Sequence, residues 1–108
     1  MIFHITEREA WEAAQSKGVY RAPSLETEGF IHFSTPEQVV ATANRFYKGQ
    51  SGLMLLQIEP NQLSSPLRYE VVEDHGTFPH LYGPLNLDAV AKVWPFTPLS
   101  DGSFEMPT

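Results

Sequence analysis

Gly29-Phe30-Ile31-His32-Phe33-Ser34-Thr35-Pro36 is the stretch whose reading decides the fold. Phe30, Ile31 and Phe33 favour extended backbone, and strand alternation sends His32 to the face opposite Ile31 and Phe33. Ser34, Thr35 and Pro36 end the strand and start a helix at Thr35. Pro36 suits its first position, and Gln38 can close a capping box. An imidazole at the end of an apolar strand, beside a helix N-terminus, is a natural place for a ligand. The Ser34 and Thr35 hydroxyls with the free N–H groups of that helix would suit an anion. Plain N-capping would use the same residues.

Working outward, Ile2-Phe3-His4-Ile5 reads as a first strand. Thr6 then caps a helix over Glu7–Lys17, with Glu9 completing its capping box. Ala10, Trp11 and Ala14 supply the buried stripe of this helix, and Gly18 ends it. Val19 to Leu25 is an extended connection, and Glu26 to Gly29 a turn into the central strand. On the far side, Val39, Val40, Ala43, Phe46 and Tyr47 recur at helical spacing. Leu53-Met54-Leu55-Leu56-Gln57-Ile58 is a nearly continuous apolar run, so it should be a central strand covered on both faces. Leu67–Val72 alternates as a further strand. Glu73–Thr77 is a polar turn. Phe78–Leu85 is rich in rings and broken by Pro79, Gly83 and Pro84, which excludes a regular helix. Ala89–Phe96 is a last strand near a sheet edge, because Pro95 lacks a donor. The tail from Thr97 is loose, with Phe104 as its anchor. Helices come early and strands late, which is α+β rather than a doubly wound sheet.

The 108 residues read as one domain. Cysteine is absent, which removes disulfides, thiolate nucleophiles and cysteine zinc sites, and fits the cytoplasm. No apolar run reaches the ~18 residues of a membrane span. Seven basic against thirteen acidic residues give a net charge of −6, which argues against a nucleic-acid backbone as partner, although Arg21, Arg45 and Lys48 could form a local basic patch. H-E-x-x-H, P-loop and G-x-G-x-x-G motifs are all missing.

The chemistry therefore falls to the histidines His4, His32, His75 and His80. A neutral imidazole offers one donor and one acceptor and holds a proton near neutral pH. Each could equally be a partly buried ring bonded to backbone. Arg21 and Arg45 could meet a phosphate, and Arg21 stands closer in sequence to the central strand. Phe78 and Tyr82, with His80 between them, could stack on a flat ring.

Phe3-His4-Ile5-Thr6, Tyr20-Arg21-Ala22-Pro23-Ser24-Leu25, Thr27 to Thr35, Ala43-Asn44-Arg45-Phe46-Tyr47 and Phe78 to Leu85 resemble, in order and spacing, the bacterial and plant family called domain of unknown function 952. That resemblance implies an ADP-ribosylation-type fold, a split α+β sheet with an NAD cleft. His4 with Thr6 is similar to the His-Gly-Thr strand of ADP-ribosyltransferases and of NAD-dependent RNA 2′-phosphotransferases, with Ile5 in place of the glycine. Ile31-His32-Phe33-Ser34 is similar to the Val-His-Leu-Ser strand of the latter. The resemblance implies that His4 and His32 form the catalytic pair, with His4 on a ribose of NAD. Thr6, Arg21, Ser34, Thr35, His80 and Tyr82 would bind the cofactor: Thr6 the ribose, Arg21 with Ser34 and Thr35 the pyrophosphate, His80 and Tyr82 a ring. The alternative class is a non-catalytic module for a small molecule or a protein partner.

Overall fold

The computed structural model describes residues 1–107. Its centre is the apolar run: β4 (Leu53–Ile58) lies between β1 (Ile2–Glu7) and β8 (Val90–Phe96), antiparallel to both. Leu53, Leu55, Leu56 and Ile58 are buried, so both faces of β4 are covered as its pattern predicts. One face carries Ile2, Leu56 and Ile58 against Trp11 and Ala14 of α1 (Arg8–Lys17), with Tyr20. The other carries Phe3, Ile5, Leu53 and Leu55 against Val39 and Ala43 of α3 (Val39–Phe46). Pro95 sits in β8, an edge strand, where its missing N–H is tolerated.

A second antiparallel sheet has the order β3 (Ile31–His32), β6 (Gly76–Leu81), β5 (Leu67–Val72). A small third pair joins β2 (Val19–Tyr20) to β7 (Leu85–Asn86). The helices α1, α2 (Pro23–Thr27) and α3 all precede β4, so the architecture is mixed α+β with antiparallel sheets.

The central stretch stitches the two larger sheets together. Ile31 and His32 pair with Leu81 and His80 of β6. The Phe33 N–H still reaches the Pro79 carbonyl, at 3.0 Å, but proline has no N–H to return. The ladder stops there. One residue on, Ser34 exchanges both backbone bonds with Phe3 of β1, each 2.8 Å. Ile31 and Phe33 are buried while His32 faces out, as alternation predicts.

Several boundaries differ from those read in the sequence. Thr6 does not cap α1: β1 runs to Glu7, which occupies the N-cap position without a side-chain bond. The second helix begins at Val39 rather than Thr35, after a turn over Pro36–Gln38. Gln38 does receive the Thr35 N–H, at 3.0 Å, so half of the expected box forms. Val19–Leu25 is not merely extended, since it holds β2 and enters α2, with Pro23 at its first position. The expected polar turn over Glu73–Thr77 is shorter, since β6 begins at Gly76, and Phe78–Leu81, where the sequence excludes a regular helix, is strand whose neighbours β3 and β5 accommodate Pro79. Phe46 is 65% exposed and leaves the buried face of α3. On β5 the apolar set turns outward: Tyr69 and Val71 are exposed, while Arg68 and Glu70 share a face with His80.

The tail is held at two points. Phe104 is buried and stacks on Phe96 with centroids 4.7 Å apart, and its N–H donates to Asn44 Oδ1 at 2.6 Å. Phe104→Ala should lower unfolding free energy by about 3–5 kcal/mol, the range for truncating a buried aromatic. Urea denaturation reads this directly, and a loss below about 1 kcal/mol would mean that the tail contributes nothing to the core.

Candidate functional site

β1 and the Phe33–Ser34 segment begin as neighbours and then separate. Continuing their ladder from the Phe3–Ser34 bridge would pair Ile5 with His32. Instead the His4 ring reaches across, and its Nδ1 lies 2.6 Å from the His32 carbonyl oxygen. A carbonyl only accepts, so Nδ1 carries the proton. His4 Nε2 lies 2.8 Å from the Tyr20 hydroxyl, which is 2.9 Å from Thr6 Oγ1. Burial pushes the His4 pKa down to about 4, so the ring is neutral at pH 7 and Nε2 is an acceptor. The Tyr20 proton therefore goes to His4, and the Thr6 hydroxyl donates to Tyr20. Burial also raises the Tyr20 phenol to about 12, which keeps that proton in place. The chain Thr6 → Tyr20 → His4 → His32 carbonyl thus has one direction, and it leaves the lone pairs of Thr6 Oγ1 for an incoming donor.

Gly18, left-handed at φ 80°, turns the chain out of α1 so that β2 can carry Tyr20 inward. The next residue, Arg21, consequently points away. It is exposed, pairs with Glu26 at 3.1 Å and stands off the cavity wall.

The parting strands border a cavity of about 850 Å³. His4, His32, His75 and His80 all contribute to its wall. Because alternate residues of an antiparallel strand aim N–H and C=O to opposite sides, and Phe3 aims both at Ser34, Ile5 aims both into the gap. Among the described residues Ile5 has no backbone partner there.

His32 lies on the cavity wall, its side chain 52% exposed and paired with Glu28 at 3.0 Å. Ser34 is buried on the wall, its hydroxyl 3.4 Å from Thr42 Oγ1. Thr35 is half-buried and off the wall. Neither residue stands at a helix N-terminus with free N–H groups, since those of Gln38 and Val39 bond the Thr35 carbonyl. His80 is buried on the wall, stacked under Phe30 with centroids 4.0 Å apart. Tyr82 lies behind it, its hydroxyl donating to Glu70. Arg45 of α3 lines the cavity, and among the described residues no carboxylate pairs with it. Among the described residues no group of three or more His, Cys, Asp or Glu is placed to hold a metal ion.

Tyr20 and Ile5 escaped the sequence reading as site residues. Tyr20 stood in a quoted motif, but nothing local shows that its hydroxyl crosses to His4. The Ile5 contribution is backbone, which no side-chain pattern reveals.

Fold and site define a small mixed α+β protein with a histidine-lined cavity between two antiparallel sheets. The chain belongs to the family described as "Protein of unknown function (DUF952)", whose pattern it matches over residues 5–93. It is similar to protein CC0527 from Caulobacter crescentus. The crystal structure of that protein superposes with a TM-score of 0.88 at 33% identity, covering 96% of this chain and 92% of that one. Its solution NMR structure gives a TM-score of 0.84 at 33% identity, covering 96% and 90%. No curated protein matches this chain. Among the described residues no helix is long and apolar enough to cross a membrane.

The His4 shift has a defined sign. Its folded pKa lies below the unfolded value of 6.5, so its stabilising contribution is present above pH 6.5 and is lost as pH falls to about 4. Over that window the loss should approach about 3 kcal/mol. Glu70 and Asp101, held below the usual carboxylate range by hydrogen-bond donors, lose theirs only at lower pH. Urea unfolding at pH 7 and pH 4.5 should show the stability gap between wild type and His4→Gln narrowing by about 2–3 kcal/mol at the lower pH. An unchanged gap would mean that His4 is not buried neutral.

Proposed function

We propose that this protein recognises NAD or an ADP-ribose-containing nucleotide in the cavity beside β1. The observation that carries the reading is the free backbone edge of Ile5. One residue there offers a donor and an acceptor side by side, the complement of a planar carboxamide such as that of nicotinamide. Around it stand Thr6 Oγ1, whose free lone pairs suit a ribose hydroxyl, and His32 on the open side, able to meet the same sugar. Arg45 is the cation available to a pyrophosphate, in place of Arg21, which Glu26 engages outside the cavity. A volume of about 850 Å³ is within the range of small-molecule and cofactor pockets. The likeness of His4-Ile5-Thr6 and Ile31-His32-Phe33-Ser34 to strands of ADP-ribosyltransferases and RNA 2′-phosphotransferases supports the same reading.

In this role His4 does not touch the reacting sugar, since both of its ring nitrogens are engaged by the protein. It keeps the strands apart and orients the Tyr20–Thr6 hydroxyls.

Calorimetric titration with NAD and with ADP-ribose tests the reading, using Ile5→Pro as the probe. Proline removes the N–H that faces the gap and trims a side chain buried in the core, while the ladder to β4 is kept, so binding is compared at a temperature where the variant is fully folded. NAD affinity should fall about tenfold, as expected for one lost hydrogen bond, while ADP-ribose, which lacks the carboxamide, binds as before. Absence of saturable binding of either nucleotide to wild type would sink the proposal. Arg45→Gln should weaken both ligands by about tenfold, the effect of losing one charge-assisted contact.

A further inference from the structure

A second polar cluster, separate from the His4 network, lies on the β5–β6 hairpin. Glu70 faces Phe78 across the ladder and His80 faces Arg68, so Glu70 and His80 are diagonal neighbours on one face. His80 Nδ1 lies 2.8 Å from Glu70 Oε1, and the Tyr82 hydroxyl donates to the same oxygen. These donors hold the Glu70 carboxyl below the usual carboxylate range and push the Tyr82 phenol up. Glu70 is thus an ionised acceptor, and the proton between it and His80 stays on Nδ1.

That leaves His80 Nε2. His80 is 4% exposed, its ring lies on the cavity wall, and among the described residues Nε2 is a buried polar atom without a partner. Buried nitrogens are ordinarily satisfied, and an orphan is destabilising unless something else is gained. Phe30 stacks on the ring and His32 meets it edge-on at 5.3 Å, but neither bonds to Nε2. A carboxylate on Nδ1 with a free Nε2 is the arrangement that makes an imidazole a base.

We propose that Glu70 and His80 are the proton-accepting pair of this cavity: His80 Nε2 takes the proton of a water or ligand hydroxyl, and Glu70, positioned by Tyr82, stabilises the imidazolium that forms. This assignment goes beyond the nucleotide reading and does not rest on it. Phe30 shields the base, and it follows a turn at Gly29 whose φ of 89° favours glycine.

The probe is p-nitrophenyl acetate, an activated ester that requires no knowledge of the natural ligand. Water oxygen bonds to the ester carbonyl carbon as its proton passes to Nε2. The tetrahedral adduct then breaks its bond to p-nitrophenolate, which leaves with the electron pair, and His80 returns the proton to solvent. Wild-type protein should exceed an equal concentration of free imidazole and show a normal solvent deuterium isotope effect. His80→Gln should lower the rate by about tenfold or more, a modest share of what a positioned base supplies to its own substrate. Phe30→Ala should raise the rate, and the double variant should lose that rise. Glu70→Gln keeps the ring and should still lower the rate several-fold while retaining the wild-type circular dichroism spectrum, which keeps the test open if His80→Gln folds poorly. A wild-type rate no greater than that of imidazole, or wild-type rates in His80→Gln and Glu70→Gln, would overturn the proposal. A loss confined to His80→Gln, with Glu70→Gln at the wild-type rate, would overturn the role of Glu70.

Discussion

The hydrogen bond from His4 Nδ1–H to the His32 carbonyl stands where a strand ladder would otherwise continue. Phe3 and Ser34 pair as in any antiparallel sheet, yet two residues further the place of Ile5 is taken by a side chain. Pro79 prepares this from the other side. It cannot return a bond to Phe33, so the central stretch is released from β6 just as it reaches β1. One imidazole and one missing N–H therefore decide that the backbones of the two sheets are joined by a single bridge and part around a cavity, while Ile31, Phe33 and Leu81 still pack with Ile2 and Leu56 in one core. Burying a polar ring as a wedge is tolerable only because both nitrogens find partners, and this is why Tyr20 and Thr6 belong to the same device.

The cavity consequently has two unlike sides. On the β1 side the protons are ordered and held: His4 is neutral, Tyr20 is a phenol, and every donor in the chain has an assigned acceptor. On the β6 side the Glu70–His80 pair ends in an unsatisfied nitrogen. The four histidines of the sequence thus divide by environment rather than by motif, with His75 exposed at the cavity wall. His4 is structural and oriented, His32 is half exposed and paired with Glu28, and His80 is buried with one atom free.

Much of the scaffold was legible because it depends on local pattern. The run Leu53–Ile58 could only be a covered central strand, and Pro95 confined β8 to an edge. Trp11 and Ala14 mark the buried stripe of α1, and Gly18 its end. The errors have a shared cause. Thr6 and Thr35 carry good capping chemistry, but tertiary partners claimed the backbone first: β4 extends β1 past Thr6, and the turn at Pro36 postpones α3. β6 went unassigned because Pro79, Gly83 and Pro84 exclude a regular helix without specifying a strand, and the missing Pro79 donor falls where the neighbouring strand departs. The alternation in β5 was visible, but its direction was not. Only the sheet's other contacts put Glu70 rather than Tyr69 toward the site.

By itself the sequence determined the α+β class, the central strand and the alternation that turns His32 out from an apolar strand, since periodicity and turn chemistry act over a few residues. It also supplied the acidic balance and the absence of cysteine that bound the chemistry. The tertiary structure alone decided which polar groups meet. The His4–Tyr20 contact spans 16 residues and the Phe3–Ser34 bridge joins separate sheets, while Glu70 and His80 meet only on the diagonal of a register that no local pattern specifies. Hydrogen bonds act over about 3 Å, so a site built from them exists only after packing has fixed the strands.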